Sequence, residues 1–432
     1  MNILLIKSFW PYPYSRGEDT YNRIWPPLSL LNCAALLERE GHKVKILDVH
    51  AHRISPRKIG DYIKGHDKIF ITSSSLDKWQ CPNIDISPFI ETVRYLRETN
   101  DETYVLGYHG TVEPEKILNL TDAKAVIRGE PESTVLEICQ NRDLFKIKGV
   151  FFKDNGEFVS TPQREPLDLE SLPIPAFHLL DFKKYHYEIL GDNFALFETS
   201  RGCKFRCRFC NKVMYGGGVR SKTKEQVSRE VSLAVEKYNV KTGYFIDLDF
   251  LSNREIAEGV CDYLIRKQYK FKWTCQTRAD FLDMEIIEKM KAAGCALIHT
   301  GIESSSQESL DYLNKNMTID RAVEAVKLCR RFGIKTLAFF LFGLPGETEK
   351  DRKNTFKFIK KMNADFISLH KIYPYMESDI FGDDFELNAD IDKFICKAYI
   401  KYYLRPSYLQ RLSIFTAFRG LKLFYNRIKI LS

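Results

Sequence analysis

The chain has 432 residues with 44% hydrophobic content and a formal net charge of +8, from 65 basic and 57 acidic side chains. That length allows two or three packed domains, and the charge is too mild to indicate nucleic acid by itself. No run of about eighteen apolar residues and no signal-peptide cleavage site occurs, so a transmembrane helix and secretion are not expected. The eleven cysteines are mostly scattered singly in apolar patterns, which suits a reducing cytoplasm.

Residues 1–145 alternate predicted strands and helices. Strands are predicted at residues 2–7, 43–49, 68–73, 103–107 and 125–127. Helices are predicted at residues 28–40, 90–99 and 132–139. This alternation favours a parallel, doubly wound (Rossmann-like) sheet, which binds ligands at the carboxyl ends of its strands. Those ends carry the candidate binding residues, which are residues 9–14, Ser73, Ser74, Ser75, Gly107, Gly110, Gly129 and Glu130.

Residues 146–192 are predicted to form a linker without catalytic residues. A hairpin is expected over residues 150–159, with Asp154-Asn-Gly at its turn. Four prolines between residues 161 and 175 then favour an extended crossing.

Residues 193–375 contain six further strand–helix units. Strands are predicted at residues 193–199, 243–248, 272–277, 297–301, 335–342 and 366–369. Amphipathic helices are predicted between them, at residues 224–238, 255–267, 284–293 and 319–332, with one more after residue 348. Six such units with right-handed crossovers predict a partial (β/α)6 barrel of the TIM type, three-quarters of the eight-unit form.

Three cysteines, Cys203, Cys207 and Cys210, lie within eight residues directly after the first barrel strand. Thiolates at this density hold soft metals or iron–sulfur clusters. Three ligands leave one iron of a four-iron cluster open to a small molecule. A structural zinc site, the main alternative, usually has four ligands in two pairs, and the chain has one Cys-x-x-Cys pair here. A disulfide is not expected in a reducing compartment.

Polar residues follow the ends of the predicted barrel strands, where barrel enzymes place their active sites. Each of them has the alternative of being a hydrogen-bonded core residue or a helix cap. Their shared position at one rim favours a ligand cavity. They are Glu198, Asp247, Gln276, Arg278, His299, Glu303 and His370.

The loop Arg201-Gly-Cys-x-x-x-Cys-x-Phe-Cys210 resembles the signature of the radical S-adenosylmethionine (SAM) superfamily. Further stretches are similar to that family and follow in the expected order. The similarity covers nearly all of residues 193–375. These stretches begin at Phe245-Ile-Asp-Leu-Asp, Trp273-Thr-Cys-Gln-Thr-Arg, Gly294-Cys-Ala-Leu-Ile, Gly301-Ile-Glu-Ser and Phe342-Gly-Leu-Pro-Gly-Glu-Thr. One departure is Leu248, which stands where the family usually carries a second aspartate.

The resemblance implies that Cys203, Cys207 and Cys210 bind a 4Fe–4S cluster whose open iron chelates SAM. It also implies that the reduced cluster splits SAM into methionine and a deoxyadenosyl radical, using an external electron donor of the flavodoxin or ferredoxin type. Residues implied to contact SAM are Phe209 and Gly343 at the adenine, Asp247 at the amino group, Gly301 and Glu303 at the ribose and methionine, and Gln276 at the same rim.

The N-terminal half resembles the cobalamin-binding domain that precedes many radical SAM modules, in Pro26-Pro-Leu-Ser-Leu-Leu, Gly107-Tyr-His-Gly and Val126-Ile-Arg-Gly-Glu. The motif Asp-x-His-x-x-Gly, by which some cobalamin proteins bind cobalt, is missing. His50 and His52 follow the second predicted strand, whereas that motif normally follows the first. They are therefore not expected to bind cobalt. The alternative is a flavodoxin-like domain that binds nothing and only shapes a substrate channel.

Residues 376–432 are predicted to be helical, and from Lys393 onward the chain has no Asp or Glu. Residues 407–432 have the pattern of basic amphipathic helices. Such helices pack on a core with a solvated basic face, or lie on an anionic membrane surface. No nucleic-acid recognition motif supports a nucleic-acid partner.

These observations favour a cobalamin-dependent radical SAM enzyme that methylates an unactivated carbon of a small-molecule, lipid or natural-product substrate. Two alternatives stay open at this stage. One is a radical rearrangement, cyclisation or epimerisation without methyl transfer. The other is a cluster-bearing binding protein without catalytic activity.

Overall fold

The first part of the chain folds around a seven-stranded sheet, in a computed structural model that describes residues 1–8, 24–54, 58–77, 79, 82–83, 85–383, 385 and 389–409. Its strands run in the order β2-β1-β3-β4-β5-β6-β7. The first five in this order are parallel, which confirms the doubly wound sheet. The strands are β1 (Asn2–Lys7), β2 (Lys43–Asp48), β3 (Lys68–Thr72), β4 (Thr103–Leu106), β5 (Ala125–Ile127), β6 (Val150–Asp154) and β7 (Glu157–Ser160).

Helices cover both faces of this sheet, so successive residues of a strand enter different cores. Ile3 and Leu5 of β1 join the large core that continues into the second domain, whereas Leu4 and Ile6 pack in a separate core. The helices are α1 (Leu28–Arg39), α2 (Gly60–Ile63), α3 (Ser87–Arg97), α4 (Tyr108–Val112), α5 (Pro114–Thr121) and α6 (Glu132–Cys139).

The hairpin expected in the linker forms, with its turn at Asn155 and Gly156, both at positive φ. Strand β6 pairs antiparallel with β5, so the hairpin extends the first sheet. A short ladder of β8 (His186–Tyr187) and β9 (Gly191–Asp192) then leads into the second domain.

The second domain is a partial barrel of six parallel strands, as predicted, in the order β10-β13-β14-β15-β16-β17. A separate antiparallel pair, β11 and β12, flanks the cysteine loop. The strands are β10 (Phe194–Phe197), β11 (Ser200–Gly202), β12 (Val219–Ser221), β13 (Thr242–Phe245), β14 (Lys272–Gln276), β15 (Cys295–Glu303), β16 (Lys335–Phe342) and β17 (Phe366–Lys371).

The barrel helices begin and end at residues suited to helix termini. Thr223 and Thr348 form capping boxes at two N-termini, and Asn239 and Asn363 end the same two helices in the left-handed conformation. The helices are α7 (Lys224–Tyr238), α8 (Arg254–Lys267), α9 (Met284–Ala292), α10 (Gln307–Tyr312), α11 (Ile319–Arg331), α12 (Glu349–Met362), α13 (Ala389–Tyr403) and α14 (Pro406–Leu409).

Helix α13 lies along β17, the last strand of the open barrel. The Tyr399 hydroxyl lies 2.6 Å from the Leu369 nitrogen, and the Tyr403 hydroxyl lies 3.1 Å from the Ile367 nitrogen. These hydroxyls therefore accept hydrogen bonds from strand N–H groups that have no neighbouring strand.

The predicted basic helices of residues 407–432 lie almost entirely outside the described residues, as do residues 9–14. Among the described residues, no helix combines the length and apolarity needed to cross a membrane.

Candidate functional site

The cysteine loop begins where two strands come close together. Gly202 has a φ of +91°, and a Cβ atom there would lie 2.0 Å from the Gly218 carbonyl oxygen. The register of β11 and β12 pairs Gly202 with Val219, which closes the base of the loop. Glycine before Cys203 is therefore required by both the backbone conformation and the close approach.

The loop brings Cys203, Cys207 and Cys210 close enough that burial and the neighbouring thiol groups together raise the pKa of Cys203 and of Cys210. All three are half-buried and free of disulfides. Burial and the neighbouring cysteines raise the pKa of Cys210 to about 12, and burial raises the pKa of Cys203. A bound cationic metal group would reverse these shifts, because it stabilises the thiolate form.

The donor set fits a cluster with three protein ligands. Among the described residues, no three His, Cys, Asp or Glu side chains are arranged to hold a single metal ion. A four-iron cluster is larger than one ion, so its thiolates need not converge on one point. Three soft sulfur donors on one loop are the ligands that such clusters use.

Lys315, which sequence reasoning missed, lies beside this loop in the short segment after α10. Its Nζ donates to Glu303 Oε1 at 2.8 Å and stands 5.7 Å from the centre of the Phe209 ring. Burial lowers its pKa, but Glu303 and Cys207 outweigh that effect and the net shift is upward. Lys315 is therefore a buried ammonium. A single lysine in a loop carries no pattern that could have identified it.

Gly301 and Glu303 join the same group of side chains. A Cβ atom at Gly301 would lie 2.1 Å from Glu303 Oε1 and 2.8 Å from Lys315 Nζ. Glu303 itself has a φ of +67°, which is uncommon for a residue with a side chain. The structure thus brings together three predicted SAM residues, Phe209, Gly301 and Glu303, around Lys315.

Asp247 is buried and its carboxylate is occupied by protein groups. It accepts hydrogen bonds from the Thr199 nitrogen (3.1 Å), the Thr199 hydroxyl (2.6 Å) and the Ser200 hydroxyl (2.7 Å). Burial raises the pKa of Asp247, against these hydrogen bonds. Asp247 therefore ties β13 to the start of the cysteine loop.

The second carboxylate of this strand end comes one residue later than in the family pattern. Leu248, in the expected position, packs with Tyr108 and Trp79 in an apolar cluster. Asp249 follows it and accepts hydrogen bonds from the Thr277 hydroxyl (2.6 Å) and the Arg278 nitrogen (3.4 Å). Burial raises the pKa of Asp249.

The remaining rim residues divide into two groups. Gln276 Nε2 donates to the Leu248 carbonyl at 3.3 Å, and Arg278 lies over the Phe205 ring of the cysteine loop at 3.8 Å. His299, in contrast, lies inside β15 and not at its end, since the strand runs on to Glu303. Its ring nitrogens lie 3.1 Å from the Tyr187 hydroxyl and 3.3 Å from the Tyr244 hydroxyl.

The glycine loop after β16 approaches Phe209 from the other side. Gly343 has a φ of +85°, and its nitrogen donates to Glu347 Oε2 at 2.6 Å. The next residue, Leu344, belongs to an apolar cluster against which Phe209 packs. At the following strand, His370 Nε2 lies 2.8 Å from the Ser368 hydroxyl.

The candidate residues of the first domain follow strands at the carboxyl edge of its sheet, in loops or, for Gly110, in helix α4. A Cβ atom at Gly107 would lie 2.9 Å from the Ser73 hydroxyl and 3.0 Å from the Ser74 hydroxyl, so these three residues are in contact. The Ser75 hydroxyl donates to Asn83 at 2.7 Å. At Gly110, helix α4 packs so closely on Val126 that a Cβ atom would lie 2.4 Å from that side chain.

Gly129 and Glu130 have different surroundings. Gly129 has a φ of +75° with open space where a Cβ would be. Glu130 bonds to the second domain, because Arg220 Nη2 donates to its Oε1 at 2.5 Å. Its Oε2 accepts from the Leu167 nitrogen at 2.8 Å. The carboxylate predicted to bind cobalamin thus takes part in the contact between the domains.

The carboxyl edge of the first sheet faces the cysteine loop. Trp79 and Tyr108 of the first domain share one apolar cluster with Met214, Tyr215 and Leu248 of the second, and Cys203 packs against it. A ligand held by the loops of the first sheet would therefore lie next to an iron–sulfur cluster held by the cysteines.

Comparison with known proteins agrees with this geometry. Residues 197–359 match the sequence model of the family described as the Radical SAM superfamily. The chain is 29% identical to an uncharacterized methyltransferase of Pyrococcus horikoshii, over 95% of this chain and 94% of that protein. It is 27% identical to the anaerobic magnesium-protoporphyrin IX monomethyl ester cyclase of Rubrivivax gelatinosus, over 91% of this chain and 72% of that protein.

A solved structure shares the fold of both domains. It is the radical S-adenosylmethionine methyltransferase TsrM from Kitasatospora setae, with cobalamin and a [4Fe-4S] cluster bound. The TM-score is 0.70, with 18% sequence identity, over 88% of this chain and 74% of that one. The fold predicted from the sequence is thereby confirmed.

Proposed function

We propose that this chain, whose residues 197–359 match the Radical SAM superfamily model, is a cobalamin-dependent methyltransferase acting on an unactivated carbon. The observation that carries the proposal is the packing of Cys203 against the apolar cluster that contains Tyr108 and Trp79 of the first domain. With a cluster on the cysteines, this packing would set the radical-generating site opposite the carboxyl edge of the Rossmann-like sheet. Similarity to an uncharacterized methyltransferase over 95% of the chain supports the same reaction class.

When bound, the cluster and SAM supply a deoxyadenosyl radical, and methylcobalamin supplies the methyl group. Cys203, Cys207 and Cys210 would hold the cluster. The Lys315 ammonium is placed to bind a carboxylate, and Glu303 is placed to bind an ammonium or ribose hydroxyl, so this pair suits SAM.

Other SAM contacts would come from both walls of the site. Phe209 and the Gly343 loop would border the adenine, because they meet in one apolar cluster. Gln276 lies at the same rim. Asp247 accepts hydrogen bonds from Thr199 and Ser200 and would orient the loop, and its carboxylate would also face the SAM amino group.

The first-domain loops fit a ligand with many polar groups. Ser73, Ser74 and Gly107 form one contact group at the strand ends, with Gly110 in helix α4 and Gly129 in the loop after β5. We assign cobalamin to this edge.

One ion pair joins the cysteine loop to the segment after β17. Arg208 donates to Asp383 at 2.9 Å, and Asp383 also accepts from the Tyr312 hydroxyl. The segment after β17 thereby contacts the loop and would limit the access of water and oxygen from that side. An external flavodoxin- or ferredoxin-type protein would supply the electrons, and the substrate would be a small molecule or lipid.

Metal analysis of protein purified without oxygen from cobalamin-supplied cells tests this proposal. About four irons and one cobalt per chain are expected. The irons should be lost in a triple variant, Cys203→Ala, Cys207→Ala and Cys210→Ala, while cobalt stays. Zinc without iron would contradict the whole proposal. Iron without cobalt would contradict the methyl-transfer step only.

A radical cyclase is the second candidate, and the observation in its favour is the similarity to the magnesium-protoporphyrin ester cyclase over 91% of this chain. The two functions differ in their products. Both form deoxyadenosine when the radical takes a hydrogen atom, but only the methyltransferase also transfers a labelled methyl group from SAM to its product.

A further inference from the structure

Arg201 is a buried arginine two residues before the first cysteine, and it is only 1% exposed. Its Nη2 donates to Glu132 Oε1 at 2.6 Å and to Glu198 Oε1 at 2.9 Å, and its Nε donates to Glu198 Oε2 at 3.0 Å. Its Nη1 lies 3.6 Å from Glu130 Oε1. Three carboxylates therefore surround one guanidinium.

These carboxylates come from both domains. Glu132 is the first residue of α6 and Glu130 lies just before it, both in the first domain. Glu198 directly follows β10 of the barrel. Trp79, from the loop after β3, lies 5.4 Å from the guanidinium carbon. Arg201 thus joins the first sheet, the first barrel strand and the cysteine loop at one buried point.

The charges make this contact hard to break. Burial would raise the pKa of Glu198, but Arg201 and Lys222 outweigh it and lower that pKa to about 2. Burial would lower the pKa of Arg201, yet the glutamates raise it well above its usual value. Loss of one partner leaves a buried charge without compensation, which costs more than the pair itself contributes.

A second buried ion pair in the same region does not connect the two domains. Lys222 Nζ donates to Glu230 at 2.8 Å, and both residues belong to the barrel domain. Glu230 is 2% exposed and Glu132 is 1% exposed, so the two glutamates are matched in burial. They differ in that only Glu132 connects the domains.

We propose that Arg201 is a positioning residue, which fixes the cysteine loop relative to the first domain through Glu132 and Glu130. The inference rests on the proposed function, since it assigns the fixed geometry to a cluster and a cobalamin that must face each other. Neither group is assigned to Arg201. Its role is to keep the loop from separating from the sheet edge.

Glu132→Gln tests this, with Glu230→Gln as the control matched in burial and charge. Two quantities are measured on protein of known stability: amide hydrogen exchange in residues 200–211, and the rate of iron release to a chelator. We expect both to rise at least tenfold in Glu132→Gln and less than twofold in Glu230→Gln, at comparable loss of stability.

Equal changes in both variants, or no change in either, would overturn the proposal. If Glu132→Gln does not fold, Arg201→Lys is compared with the control in the same way, because it keeps the charge but loses the fork geometry. Hydrogen exchange is also measured on cluster-free protein. Absence of iron from the wild type would therefore contradict the proposed function, while the exchange comparison would still decide the role of Arg201.

Discussion

Lys315 donates a 2.8 Å hydrogen bond to Glu303, and its ammonium stands 5.7 Å from the ring centre of Phe209, which precedes the last cysteine. The pair is buried next to the cysteine loop, with Lys315 8% and Glu303 6% exposed in their side chains. A buried ammonium with one carboxylate partner retains donors for a second anionic group.

We therefore predict that Lys315→Met weakens SAM binding while the protein keeps its iron. A charge-assisted hydrogen bond contributes about 1.5–3 kcal/mol, so the Kd should rise roughly 10- to 100-fold. Equilibrium binding of SAM to the reconstituted protein measures this. Lys212→Met is the control, because Lys212 lies beside the last cysteine but donates to the Phe205 carbonyl. Loss of iron in Lys315→Met would instead assign Lys315 a structural role.

Gly202→Ala should disrupt the cysteine loop. The added Cβ would lie 2.0 Å from the Gly218 carbonyl oxygen, and the φ of +91° is unfavourable for alanine. Backbone strain and steric overlap together should cost about 3 kcal/mol or more. Chemical denaturation and iron content measure the effect. Gly217→Ala is the control, since a Cβ there meets nothing within 4 Å. A Gly202→Ala protein with full iron content and unchanged stability would contradict the described geometry.

Tyr399→Phe and Tyr403→Phe should each expose the edge of β17. Each hydroxyl accepts a hydrogen bond from a strand N–H group, and loss of one such bond costs about 1 kcal/mol. The double variant should also self-associate, since an open strand edge pairs with other chains. Urea denaturation and light scattering check both expectations. Tyr373→Phe serves as the control because Tyr373 is 42% exposed. Unchanged stability in the double variant would disprove the edge-capping role.

Glu347 should make stability fall as pH rises. Burial raises its pKa from 4.5 to about 7 in the folded protein, against the hydrogen bond from Gly343. The contribution of Glu347 to the stability of the fold is therefore fully present below pH 4.5 and is lost as pH rises through about 7. Relative to Glu347→Gln, the wild type should lose up to about 3 kcal/mol over this interval. Urea denaturation of both proteins at several pH values measures it. Parallel stability curves would show that Glu347 does not titrate in this range.

Much of the fold follows from local sequence patterns. Strand β1 and helix α7 lie where their apolar spacing predicts, because side-chain periodicity depends only on nearby residues. The strand–helix alternation also predicts parallel sheets, since a parallel connection needs a crossover. The ends of β13 and β15 were less predictable. Strand β13 stops at Phe245 and β15 continues to Glu303, because pairing with neighbouring strands decides where a strand ends.

By itself, the sequence determined the cysteine loop, since three ligands within eight residues are adjacent in any fold. Only the tertiary structure decided which groups surround that loop. Lys315 meets Glu303 across twelve residues, and Arg201 meets Glu132 across sixty-nine. No local pattern records such pairs. The partner of a buried charge depends on strand order and domain packing, which bring distant segments together and require each charge to be compensated.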